Sequence, residues 1–160
     1  MSSPLLTVGR ERRARVDFRA SHAYVDMHMT RRRSSLGFLG RFGRSEDLRS
    51  LDAALRAVDL HPALVPEGVK LTIVNLMKDR WPDDPPESAY PPVAALFGYC
   101  LAGPDAFAGV NGGDALAEAE GRIERALDAG DNFDAEIVLL ALHAKLLHPD
   151  VVDRFGLRAE

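Results

Sequence analysis

Four polar side chains at two-residue spacing, His22, Tyr24, Asp26 and His28, form the sharpest chemical cluster in the chain. On a strand they share one face at ~7 Å intervals, and imidazole with carboxylate suits a first-row divalent ion. No third imidazole lies nearby and no His-Glu-x-x-His pattern occurs, so the solvated face of an amphipathic ribbon is the preferred reading. A metal-dependent enzyme using His22, Asp26 and His28 is the lesser alternative.

Arginine supplies the second cluster. Arg13, Arg15 and Arg19, with the triplet Arg31, Arg32 and Arg33, make a basic patch able to neutralise phosphates or pair bidentately with carboxylates. A basic ribbon that binds nucleic acid is therefore a second alternative. Two features argue against it: the chain is acidic overall, and no aromatics interleave with the triplet as a single-strand binder requires. The net charge of −4 divides unevenly, with +6 in residues 1–50, where every base is Arg, and −10 in residues 51–160. Such asymmetry favours an arm that docks on its own domain, on a second copy, or on another protein. Arg31 to Ser35 also fits a short basic phosphoacceptor pattern.

Other motifs carry less. Gly109 to Asp114 precedes a helix, but it lacks the phosphate-loop Lys, and Asp114 would repel an anion, so a glycine turn is expected. Cys100 falls in an apolar run and reads as a core thiol. His143, among leucines, reads as a partly buried, hydrogen-bonded histidine. No Gly-x-Ser-x-Gly elbow occurs. Trp81 stands where a helix meets residues 82–92, an acidic loop with five of the ten prolines, and Tyr90 lies at the loop's far end. Aromatics beside a stiff loop suit either partner recognition or capping of the core.

The elements that must position these groups follow from hydrophobic period. Residues 14–20 and 23–29 alternate apolar and polar, predicting two strands of a hairpin, although a helix also accommodates them. Glycines 37, 40 and 43 then mark a linker carrying Phe38, Leu39 and Phe42. Ser45 is a predicted N-cap, with Glu46 and Asp47 at the positive end of the helix dipole and Leu48, Leu51, Leu55 and Val58 as the inward stripe. A second helix starts at Pro66 with Val69, Ile73, Leu76 and Met77 inward, and stops before Trp81. Residues 93–102, apolar all round, predict a buried central helix ended by Gly103-Pro104. After a short turn at 104–108, Asp114 is expected to cap a helix with Leu116, Ala119, Ile123 and Leu127 inward. Asn132 or Asp131 should cap the last long helix through Leu147, and one more turn follows at 151–155. Residues 54–65 and 141–152 are identical at seven of twelve positions, and both end a predicted helix at a shared His-Pro; a histidine meeting a helix C-terminus before a stop explains both.

These readings give a mainly α protein: an orthogonal bundle of about five helices in residues 45–160, preceded by a basic β-hairpin arm and Gly/Arg linker in residues 1–44. With one cysteine, a disulfide scaffold and a zinc finger are excluded, and the longest apolar run is too short to span a membrane. No secretory pattern opens the chain, so a cytoplasmic location is expected. No catalytic residue, metal ligand or cofactor is assigned. The expected function is protein–protein contact, as an adaptor or assembly protein and homodimer, through Arg13, Arg15, Arg19, Arg31, Arg32, Arg33, Phe38, Phe42, Trp81 and Tyr90.

Overall fold

A computed structural model describes residues 45–130 and 132–158. The hairpin, the linker and all the arm residues, Arg13 to Phe42, lie outside the described residues. Within them the secondary structure is entirely helical: α1 (Glu46–Ala57), a 3₁₀ turn (Pro62–Leu64), α2 (Glu67–Arg80), a second 3₁₀ turn (Glu87–Ala89), α3 (Tyr90–Ala102), α4 (Pro104–Asn111), α5 (Gly113–Ala129), α6 (Phe133–His143) and α7 (Pro149–Phe155). The protein is mainly α. Seven α-helices replace the expected five or so.

The central position of α3 follows from its composition. Val93, Ala94, Leu96, Phe97, Tyr99 and Cys100 are all buried, and the helix packs against α1, α4, α5 and α6. Beyond Pro91 and Pro92 in its first turn, every residue of the helix is buried or half-buried, which an apolar sequence with no polar face allows. It begins at Tyr90, three residues before the apolar run, since Pro91 and Pro92 fall in the first turn, where no backbone N–H is needed. Around it, α1 contributes Leu48, Leu51 and Leu55, and Ser45 caps that helix by accepting the Leu48 N–H at 3.4 Å. In α2 the buried face is Lys70, Ile73, Val74 and Met77, rotated by about one position from the predicted stripe, so Val69 and Leu76 lie at its edges.

The extra helix, α4, stands where a short turn was expected. Pro104 occupies its first turn, Gly109 is tolerated inside it, and Gly112 (φ 88°) ends it. Gly112, not Asp114, is consequently the residue from which α5 starts.

The repeated His-Pro segments have a different cause from the one sequence suggested. Each preceding helix ends by a left-handed residue, Asp59 (φ 62°) or Lys145 (φ 58°), with the next N–H closing back five residues: Leu60 to the Leu55 carbonyl and Leu146 to that of Ala141. Each histidine then caps the following element. His61 Nδ1 accepts the Ala63 N–H at 3.1 Å, and His148 Nδ1 accepts that of Asp150 at 3.2 Å. The imidazoles thus serve helix beginnings rather than helix ends. The Lys145 turn also stops α6 four residues earlier than predicted and leaves His143 exposed.

Candidate functional site

The proline loop is the one predicted contact element within the described residues. Trp81 closes α2 with a half-buried ring packed on the core. Tyr90 is 3% exposed, and its hydroxyl donates to Asp47 Oδ1 at 2.8 Å, joining the first turns of α3 and α1. Lys78, from the last turns of α2, reaches Asp47 Oδ2 at 2.7 Å and Asp84 at 3.7 Å. Pro85 is buried, whereas Pro82, Asp83, Asp84, Pro86, Glu87 and Ser88 are exposed. Glu87 in turn accepts a hydrogen bond from Ser50 on α1 at 2.8 Å. The loop is therefore pinned at both ends and in the middle, presenting acidic groups beside Glu46 at the start of α1.

Electrostatics reinforce that pinning. Burial opposes ionisation of Asp47, but its hydrogen bonds from Lys78 and Tyr90 prevail and hold its carboxyl below the usual range. The Asp47 hydrogen bond raises Lys78 against the opposing effect of burial. Burial, then the bond to Asp47, raises Tyr90 far above the ordinary phenol range. All three stay in the forms that make the network: carboxylate, ammonium and neutral phenol.

Beside this loop, Pro91, Pro92 and Ala95 of α3 face Ala115 and Ala119 of α5 across a shallow apolar groove. Arg122 fixes its width. The guanidinium grips Asp134 at the start of α6 with Nε at 2.9 Å and Nη2 at 2.8 Å, and Nη1 donates to the Pro92 carbonyl at 2.6 Å. One side chain thereby joins α3, α5 and α6.

The remaining polar groups serve the fold. Lys70 is buried between Asp52 (3.2 Å) and Glu67 (3.1 Å). Sequence reading passed over this pair, although a signal existed: Asp52 stands four residues after Leu48, and Lys70 three before Ile73, so both fall on inward faces. Glu120 accepts from Arg154 at 2.7 Å and from the buried Tyr99 hydroxyl at 3.4 Å. Cys100 is fully buried, and burial pushes its thiol up to about 12, which suits a core residue and not a nucleophile. Among the described residues no group of three or more His, Cys, Asp or Glu is placed to hold a metal, and no helix is long and apolar enough to cross a membrane. Comparison of the chain with protein-family models, with curated proteins and with solved structures gives no match in any of the three.

Proposed function

We propose that this protein acts by protein–protein contact, as an adaptor or assembly protein of the cytoplasm that associates with a second copy of itself. In this reading residues 1–44 form the basic hairpin arm and its linker, and the helical domain is the rigid body that presents them. The observation that carries it is the pinned acidic loop: Asp47, Lys78 and Tyr90 hold residues 82–88 in place beside the point where the Arg-rich arm joins α1. A surface ordered before binding loses little conformational entropy when a partner docks. Its exposed Asp83, Asp84 and Glu87 complement an arm whose bases are all Arg, the residue best suited to bidentate carboxylate contacts.

The test is light scattering of the full-length protein at micromolar concentration, at low and high salt, with and without replacement of Arg31, Arg32 and Arg33 by Ser. A dimer that dissociates on charge removal supports the proposal. A monomer under all conditions, with no arm-dependent capture of another protein, contradicts it. Arm-dependent binding to DNA or RNA that weakens steeply with salt would instead favour the nucleic-acid alternative.

A further inference from the structure

Seated by its apolar residues alone, α2 would present a different face to the core from the one it uses. Val69, Ile73, Leu76 and Met77 recur at helical spacing and make the stripe that hydrophobicity favours. The helix instead buries Lys70, Ile73, Val74 and Met77, leaving Val69 and Leu76 only half-buried. It is thus turned from its apolar stripe by part of one residue step of ~100°, and the turn puts a lysine in the core. An unpaired ammonium buried there is strongly unfavourable, so a partner must hold it. Asp52, on the inward face of α1, is 2% exposed like Lys70, and its Oδ1 lies 3.2 Å from Lys70 Nζ. Glu67, one turn earlier on α2, adds a second carboxylate at 3.1 Å. Apolar burial is non-directional and tolerates either rotation, whereas a buried charge pair is satisfied in only one.

The same rotation aims Lys78. It stands one turn beyond Val74, and in the observed seating it reaches Asp47 at 2.7 Å and Asp84 at 3.7 Å. Turned onto the Val69 and Leu76 stripe, α2 would carry Lys78 round towards solvent and away from both carboxylates. We propose that the buried Lys70–Asp52 pair sets the rotation of α2 against its competing apolar stripe and, through Lys78, holds the acidic loop in place. Lys70 and Asp52 are then positioning residues for the contact surface. Their value to a partner rests on the protein-contact reading; the rotation itself does not.

The test is thiol labelling of the full-length chain carrying one added cysteine, Val74→Cys or Leu76→Cys, with buried Cys100 silent. Position 76 should label about tenfold faster than position 74, because Val74 is buried and Leu76 is not. Asp52→Leu combined with Lys70→Met replaces the pair by apolar side chains of similar shape, an exchange that proteins often accept without loss of stability. In that background the ratio of the two rates falls about tenfold or more, as position 76 turns inward and position 74 outward. Adding Val69→Gln weakens the competing stripe and returns the ratio to its original value, which it would not do for a merely loosened helix. A smaller fall, a ratio that Val69→Gln leaves unrestored, or a double variant that does not fold would each overturn the proposal. The last counts because the apolar stripe would then be unable to seat α2. Light scattering on the same samples reads association separately: a fallen ratio in a variant that still dimerises leaves the rotation standing and removes the acidic loop from the contact surface.

Discussion

Removing the Arg122 guanidinium should cost this domain far more than a surface ion pair does. Exposed pairs contribute roughly 0.2–1 kcal/mol, because solvent screens them and side-chain entropy opposes them. Arg122 differs in two ways. Its side chain is 14% exposed and that of Asp134 24%, and the contact is a two-pronged fork with a third hydrogen bond to the Pro92 carbonyl. Charge-assisted hydrogen bonds contribute about 1.5–3 kcal/mol, so Arg122→Ala should lose about 2–3 kcal/mol out of a typical total of ~5–15. For a domain of this size that is a fall in Tm of about 10 °C. Asp134 also sits in the first turn of α6, where its charge favours the helix dipole, so Asp134→Ala alone mixes two effects. A double-mutant cycle by urea denaturation separates them, and the Arg122–Asp134 coupling should be about 1.5 kcal/mol. Arg122→Lys keeps the charge but not the fork and should recover less than half of the loss. A coupling under ~0.5 kcal/mol, or a Lys variant as stable as the parent, would refute the view that this residue ties three helices together.

Three further outcomes follow from other contacts. Asp47 has its folded pKa lowered, so its contribution is complete above the unfolded value and is lost as pH falls through the folded one; Asp47→Asn should cost about 1–2 kcal/mol at neutral pH and flatten the acid limb below about pH 4, read by urea denaturation across that range. Gly103 has φ 81°, and an added Cβ would stand 2.6 Å from His148 Nδ1, so Gly103→Ala should cost about 2 kcal/mol or more, and His148→Ala in that background should add less than it costs alone. Cys100 should resist alkylation in the native protein near pH 8 and react at a rate that tracks unfolding, hence faster in Arg122→Ala; rapid labelling of the native chain would contradict its burial.

Where one face of a helix meets the core, its residues were legible in advance. Ser45 and the leucines of α1 announce a capped amphipathic helix, and the unbroken apolar run of α3 announces a helix buried or half-buried along residues 93–102. Less legible were the places where backbone geometry overrides side-chain pattern. Pro104 and Gly112 bracket a full helix where glycines and proline suggested only a turn, since a proline in a first turn and one glycine inside cost little there. Lys145 adopts a left-handed conformation that its residue type does not advertise, and Asp59 one that aspartate tolerates without demanding it; these turns fix where α1 and α6 end. The candidate site divides in the same way. Trp81 and Tyr90 were singled out as neighbours of the proline loop, but the partners that pin it, Asp47 and Lys78, lie on other helices. An ion pair and a hydrogen bond between residues 31 and 43 positions apart leave no local pattern to read.

We propose that the Arg-rich arm joins this chain to another protein, a second copy first. Its most direct test is the mass of the full-length protein by light scattering at micromolar concentration, before and after Arg31, Arg32 and Arg33 are replaced by Ser. A dimer that falls to a monomer on replacement and weakens as salt screens the charges is the expected result. A monomer in both forms that captures no protein through its arm would contradict it.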